Sequence, residues 1–402
     1  MSDSVEDLLT RGVDKIYPSK EELKNVLKSG KKLKLYQGFD PTGSQLHIGH
    51  MVGLRKLRQW QELGHHVIFL IGDFTAMVGD PTGRYDTRKM LTREEVLENA
   101  KSYQEQAGKI LNFTGNNPIE IRFNSEWLGK ISGLEFLKIS GFLSVQQVVE
   151  RDMFQERQKR GQDIYMNEFL YPVMQAYDCV VLNVDLELGG SDQMFNMLIG
   201  RKLMRHMLHK DKFVLTTPLL EDSEGRKIGK SEGNVIALTD KPKDLFGKIM
   251  GFSDDVITKC LEYLTDVPMS EINEIGQKLQ YGENPMIYKK MLAFEIVKQL
   301  NSTSEAKKAQ EFFEQTVQKK QLPQDIPVIN LPQSLRSGAT ITDALAGLEL
   351  VDSRSEAKRL VAQGAVVIGN ETIIDPQTPF VPEDGMVIQV GKRKFVRIKV
   401  SS

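Results

Sequence analysis

Two histidines, His47 and His50, stand three residues apart in Leu46-His47-Ile48-Gly49-His50, just after the turn-forming stretch Asp40-Pro41-Thr42-Gly43. A turn of this kind opens a helix, and a helix start offers unpaired N–H groups and a positive dipole end, which attract phosphate. At that spacing both imidazoles lie on one face of the first turn. Gly49 between them lets a flat ring or a phosphate approach the backbone. No third ligand of suitable type stands nearby to make a metal site, and a capped helix with two incidental surface histidines is the plain alternative. A second candidate is Arg226-Lys227-Ile228-Gly229-Lys230-Ser231, followed by Glu232-Gly233-Asn234. Two lysines in a glycine-containing loop can hold a polyphosphate as mobile point charges. The segment is not a P-loop, which needs glycine where Glu224 stands; taken alone it reads as a solvated basic turn. Third, Tyr171, Gln175 and Asp178 are spaced i, i+4, i+7 and project from one helix face flanked by Phe169, Leu170, Val173 and Met174. A polar surface stripe explains them as well as a buried pocket does, but in such apolar company they are costly to bury without partners.

These residues need a frame that brings distant segments together, and the first half of the chain reads as one. Leu33 and Leu35 alternate with lysines and run into Tyr36-Gln37-Gly38-Phe39-Asp40, a strand ending in a turn. A helix follows from about Gly49 to Leu63, then a short buried strand at Val67–Ile71. Thr92 with Glu95 forms a capping box opening a helix to about Leu111. Ile119, Ile121 and Phe123 alternate as the next strand, and Val180-Val181-Leu182 reads as another, before Gly189-Gly190. The alternation implies an α/β fold: a Rossmann-like, doubly wound parallel sheet whose ligands sit at the carboxyl ends of the strands. From Lys241 to about Gln318 the pattern is helical and rich in Lys, Glu and Leu. Three prolines between Gln321 and Pro332 read as a semi-rigid linker, and the tail beyond is helical first and then strand-like. The expected parts are residues 1–238, 239–320, a linker at 321–334, and 335–402.

Composition narrows the class. The 402 residues carry 53 Lys+Arg against 54 Asp+Glu, a net charge of −1, with 40% hydrophobic and 27% charged residues. This describes a soluble globular protein of two or three domains, and the balanced charge excludes a strongly basic nucleic-acid coat protein while leaving room for a local RNA-binding surface. Two cysteines, Cys179 and Cys260, cannot make a disulfide framework. No apolar run reaches the ~18 residues of a membrane span, and the acidic start MSDSVEDLL lacks the features of a signal peptide. A cytoplasmic multidomain enzyme is expected.

Together, the Leu46–His50 box and the Lys227–Ser231 loop, nearly two hundred residues later, resemble the paired signatures of class I aminoacyl-tRNA synthetases. The closer resemblance is to the bacterial tyrosyl-tRNA synthetase family, through Tyr36–Gly43, Gly79-Asp80-Pro81-Thr82-Gly83, Tyr171–Asp178 and Gly189-Gly190-Ser191-Asp192-Gln193. The resemblance implies a Rossmann-like catalytic domain, an α-helical domain on the anticodon side and a small α+β RNA-binding domain of the alpha-L type. It implies activation of L-tyrosine by ATP, with Mg²⁺ and no tightly bound metal or organic cofactor, then transfer to tRNA(Tyr). It also implies a homodimer with its interface around residues 130–165, and no membrane association. Asp178 and Tyr36 would bond the phenolic hydroxyl; Asp80, Tyr171 and Gln175 would hold the α-ammonium, with Gln193 lining the same pocket. Thr42 and His47 would meet the departing phosphates, and His50 with Gly49 the nucleotide. Gly38, Asp40, Gly190 and Asp192 would contact substrate, adenosine or adenylate. Lys227 and Lys230 would hold pyrophosphate, and Arg84 and Arg88 match cationic positions of a loop after Asp80. A carboxylate placed to accept from a phenol is left unpaired by phenylalanine, which supplies discrimination without editing, and tyrosyl-tRNA synthetases are the standing example of it.

Two departures stand out. The family's KMSKS loop reads KIGKS here, and glycine at its centre is expected to raise loop mobility. In the tail, Ser353–Leu360 and Gly364–Asn370 resemble the alpha-L motif, with Arg354, Lys358 and Arg359 as phosphate contacts, but the usual Asn-Gly ending is inverted to Gly369-Asn370. Three other readings compete: a tryptophanyl-tRNA synthetase, which needs no carboxylate facing a phenol; a small-molecule nucleotidyltransferase, which needs neither helical region nor basic tail; and a non-catalytic RNA-binding descendant.

Overall fold

The computed structural model describes residues 2–82, 90–231, 234–318, 326–369, 371–391 and 394–400. They form two compact units, one from Met1–Asp240 with Phe252–Leu300 and the other from Lys241–Gly251 with Asn301–Ser402. The helical stretch after residue 240 is therefore divided between them. Helices Ile257–Leu264, Met269–Gln280 and Pro285–Leu300 belong to the first, whereas Pro242–Ile249 and Thr303–Phe313 belong to the second.

The first unit is built on a six-stranded sheet: β1 Lys15–Tyr17, β2 Lys34–Phe39, β3 His66–Ile71, β4 Glu120–Phe123, β5 Leu186–Gly190 and β6 Phe213–Thr217, in the order β1-β6-β5-β2-β3-β4. All neighbours are parallel except the edge strand β1, which runs antiparallel to β6. In β3 all residues but His66 are buried, as befits a strand covered on both faces. From β2 the chain proceeds outward through β3 and β4, then returns to the other side of β2 for β5 and β6. That reversal opens a crevice at the carboxyl ends of β2 and β5, where open α/β sheets bind ligands. Helix Ile48–Glu62 follows β2 and buries Met51, Leu54, Leu57 and Trp60 against the sheet. Arg55 on that helix is buried, with its guanidinium 2.6 Å from Asp266.

Three local expectations change. Val180-Val181-Leu182 is not a strand but the last turn of helix Met166–Leu182, which Asn183 ends in the left-handed region at φ 48°. An apolar triplet does not reveal its period, and here a helix packed on its inner side accepts it. The helix opened by the Thr92–Glu95 capping box stops at Ala100 and a separate turn runs Tyr103–Ala107. There the Ser102 hydroxyl donates to the Ser44 carbonyl, Tyr103 Oη to the Gly43 carbonyl and Gln106 Nε2 to the Ser44 carbonyl, fastening this stretch to the turn before His47. Finally, of the proline-rich stretch expected as a linker, residues 321–325 lie outside the described set, and Val328–Asn330 is a strand.

The second unit holds a five-stranded sheet: β9 Val328–Asn330, β10 Val366–Ile368, β11 Glu371–Ile373, β12 Val387–Val390 and β13 Lys394–Lys399, after a hairpin of the first unit formed by β7 Lys230–Ser231 and β8 Asn234–Val235. The order is β11-β10-β12-β13-β9, with only the β13–β9 pair parallel. Helices Ile341–Gly347 and Arg354–Ala362 cover it through Ile341, Leu345, Ala357 and Val361, packed on Val366, Ile388 and Ile398. Phe312 meets Phe395 edge to face at 6.3 Å beside Ile326 and Val387.

Candidate active site

A cleft of about 480 Å³ opens at the β2/β5 crevice of the first unit. It gathers Tyr36, Gly38, Asp40 and Thr42 from the end of β2; His47, Gly49 and His50 from the next helix start; Asp80; Tyr171, Gln175 and Asp178 from helix Met166–Leu182; Gly190, Asp192 and Gln193 after β5; and Lys227. Lys230 lies on β7, but its side chain is outside the described set, as are Arg84 and Arg88 entirely. Arg354, Lys358 and Arg359 belong to the second unit, exposed on helix Arg354–Ala362.

The two histidines cap their own helix. His47 Nδ1 accepts from the Gly49 N–H at 3.2 Å, and His50 Nδ1 accepts from the His47 N–H at 3.0 Å, with the rings 3.8 Å apart. The Ile48 N–H donates to the Ile236 carbonyl and the His50 N–H to the His47 carbonyl. The open N–H groups expected at this helix start are thus already engaged. An imidazole that accepts at Nδ1 carries its proton on Nε2, so each ring is a donor there. A ligand at this helix start would therefore meet the rings rather than the backbone.

The lysine loop packs on the same helix start: His47 bridges Ala237, and Ile228 N–H donates to the Leu220 carbonyl. Lys227 Nζ sits 3.2 Å from Asp192 Oδ2. Gly229 takes φ +81°, and a Cβ there would collide with the Ile48 side chain. The glycine at the centre of KIGKS is therefore a packing requirement of this backbone, a different role from the added mobility expected of it.

Deeper in the cleft the polar groups form a chain. Tyr171 Oη donates to Asp40 Oδ2 at 2.8 Å, and Thr75 Oγ1 donates to Asp40 Oδ1 at 2.7 Å. Asn124 Nδ2 donates to Thr75 Oγ1 and to Asp178 Oδ2, and Trp127 Nε1 donates to Asp178 Oδ1 at 2.8 Å. Burial pushes the Asp178 carboxyl up to about 8, against the opposing pull of the Trp127 and Asn124 hydrogen bonds. Burial also raises the Tyr171 and Tyr36 hydroxyls well above the ordinary phenol value, so both stay protonated. Tyr36 is 1% exposed, and its hydroxyl has no hydrogen-bond partner among the described residues. Such a group costs free energy until something supplies the missing bond. On the opposite wall Asp80 accepts from Thr82 N–H and Oγ1, and from Gln193 Nε2 at 2.6 Å. A hydroxyl that donates to Asp40 presents its lone pairs elsewhere, so Tyr171 can accept from a cation together with Asp80.

Trp127, Asn124 and Thr75 take part in this network, and Glu187 joins it through Gln175, unannounced by the sequence, because Thr75 follows β3, Asn124 and Trp127 follow β4, and Glu187 lies in β5. Arg151 is another: its Nη2 donates to Thr82 Oγ1 at 2.7 Å and its guanidinium lies 4.6 Å from the Phe195 ring. Among the described residues no cluster of acidic, His or Cys side chains could hold a metal ion, and no helix is long and apolar enough to cross a membrane.

Comparison with known proteins agrees with this geometry. The family model described as tRNA synthetases class I (W and Y) matches residues 28–318. The tyrosine–tRNA ligase of Thermotoga maritima is 45% identical over 382 residues, 94% of each chain, and that of Carboxydothermus hydrogenoformans is 43% identical over 400 residues, covering 98% of this chain and 97% of its own. Among solved structures, a C-terminally truncated mitochondrial tyrosyl-tRNA synthetase of Aspergillus nidulans superposes with a TM-score of 0.66 at 26% identity, over 78% of this chain and 93% of that one. The chain belongs to the class I tRNA synthetases of the tryptophan and tyrosine group and, within that group, to the tyrosine–tRNA ligase family.

Proposed function

We propose that this chain activates L-tyrosine with ATP, forming tyrosyl-adenylate and pyrophosphate, and then transfers the tyrosine to the 3′ end of tRNA(Tyr). The observation that carries the choice of tyrosine is the pair of buried groups in the cleft: the Asp178 carboxyl, held by Trp127 and Asn124, and the partnerless hydroxyl of Tyr36. A phenol O–H donates to Asp178 and accepts from Tyr36, satisfying both; a phenyl ring leaves both unsatisfied. The α-ammonium lies between Asp80, Tyr171 and Gln175, with Gln193 holding Asp80 in place.

The tyrosine carboxylate attacks the α-phosphate, and no covalent enzyme intermediate is needed, so the protein contributes positioning and charge stabilisation. The Nε2–H groups of His47 and His50 and the ammonium of Lys227 oppose the charge that builds on the departing phosphates. Thr42, Lys230, Arg84 and Arg88 are assigned to the same leaving group. Gly38, Asp40, Gly49, Gly190 and Asp192 border the nucleotide, and Mg²⁺ enters with ATP as part of the substrate. Arg354, Lys358 and Arg359 bind tRNA phosphates.

The catalytic part is residues 1–238, the anticodon-side helices 239–320 and the RNA-binding tail 335–402, in a cytoplasmic homodimer. Exposed Leu134, Leu137, Val145, Tyr165 and Met166 support an interface between copies near residues 130–165. Aminoacylation of total tRNA with labelled tyrosine and, separately, tryptophan tests the full reaction. Charging with tyrosine alone is expected; charging with tryptophan alone overturns the pocket assignment.

A further inference from the structure

Beneath Gln175 lies a buried ion pair, Glu187 with Lys212, that does not itself reach the reacting groups. Gln175 Nε2 donates to Glu187 Oε1 at 3.2 Å, and Glu187 pairs with Lys212. Glu187 is 2% exposed and Lys212 1%. Gly200 is the cradle for this pair: a Cβ there would stand 2.8 Å from Lys212 Nζ and 2.9 Å from Cys179 Sγ. The other end of the amide, Gln175 Oε1, is buried with no hydrogen-bond partner among the described residues, and Gln175 lines the cleft.

A primary amide has a donating and an accepting end, and only the accepting end can hold an ammonium. Which end faces the cleft depends on what the other end meets. An ionised carboxylate only accepts, so it takes the NH₂ group and turns the carbonyl outward; a protonated carboxyl or a neutral amide would accept either orientation. The Lys212 ammonium, a donor with no lone pair, favours the ionised form of its partner; burial lowers the lysine's pKa, and the carboxylate in turn opposes that shift. We propose that Glu187 and Lys212 are positioning residues that lock the Gln175 amide with its carbonyl toward the cleft, and so make the site select for an α-ammonium group. The inference rests on the reading that Gln175 meets the ammonium of tyrosine.

A pair that merely held the fold together would weaken all ligands alike, so the test compares two ligands that differ in the ammonium alone. Calorimetric titration of the full-length protein with L-tyrosine and with 3-(4-hydroxyphenyl)propionate gives the preference conferred by the ammonium. In Glu187→Gln the preference is expected to fall about tenfold, the worth of one hydrogen bond to a charged group, while the affinity for the propionate changes less than about twofold. Because that variant leaves Lys212 buried without its counter-charge, Glu187→Gln/Lys212→Met, which replaces the pair by neutral groups of similar volume, is the second variant. The same loss of preference is expected there. An unchanged preference, or a parallel fall for both ligands, overturns the proposal. Gln175→Ala separates the two levels: if it abolishes the preference and the pair variants do not, the positioning role alone fails. If Gln175→Ala leaves the preference intact, the assignment of Gln175 fails and the proposal with it.

Discussion

Burial strips the Asp178 carboxyl of water, and the N–H donors of Trp127 and Asn124 only partly replace it, which leaves its pKa at about 8. In Asp178→Asn the charge is lost and one accepting oxygen becomes a donating NH₂, which clashes with the donors around it, and kcat/KM for tyrosine is expected to fall about a hundredfold while the residual rate with phenylalanine changes by less than about threefold; exchange assays with both amino acids check this. The titration has a definite sign. A phenol donates to the ionised carboxylate, so tyrosine binding releases a proton, and affinity should rise between pH 6 and 8 and level off above. Asp178→Asn should be flat over that range in calorimetric titration. For stability the sign is reversed. The folded value lies above the ordinary carboxylate value, so folding takes up a proton. The contribution is present below about pH 4 and is lost as the pH rises through about 8; thermal melts of wild type and Asp178→Asn, compared at pH 6 and 9, should show the wild type losing more. Tyr171, Gln175 and Asp178 were legible because helix spacing is written in the sequence. Trp127, Asn124 and Glu187 were not, since Asn124 and Trp127 follow β4 and Glu187 lies within β5, all distant in sequence from the helix they meet, and no local pattern marks such a convergence.

At the scale of elements, the two signatures prove to be one structure. The chain after the lysine loop pairs with the start of helix Ile48–Glu62 through His47–Ala237 and the Ile48–Ile236 hydrogen bond, and Gly229 packs on Ile48. Gly229→Ala must adopt a left-handed backbone and displace Ile48, so the loop should leave the helix start. Exchange activity is expected to fall about tenfold with little change in tyrosine affinity, read from kcat and KM together. Strands β2, β3 and β4 were legible from their apolar patterns, as was the Thr92–Glu95 cap, whereas β5 and β6 were not read as strands. The Val180–Leu182 turn was misread because three apolar residues fit a strand or a buried helix equally. The break after Ala100 was hidden because the bonds that replace the helical ladder go to Gly43 and Ser44, distant in sequence.

For the whole molecule, the division between units does not follow the change in composition near residue 240, since three of the helices beyond it belong to the first unit. That is a tertiary choice, which periodicity does not record. The exposed cations of helix Arg354–Ala362 allow a test that leaves the hydrophobic core of the second unit intact. Reversing Arg354, Lys358 and Arg359 to Glu should spare adenylate formation, weaken tRNA charging at least tenfold, and flatten the salt dependence of tRNA binding. Leu137, 70% exposed, should tolerate Glu as a monomer, so Leu137→Glu should shift sedimentation from dimer to monomer. The central claim, that the cleft activates tyrosine and discriminates by its hydroxyl, is tested most directly by ATP–pyrophosphate exchange with Mg²⁺, run separately with each of the common amino acids. Exchange with tyrosine, and none above background with phenylalanine or tryptophan, is the predicted result. Exchange driven by tryptophan, or by tyrosine and phenylalanine equally, would contradict it.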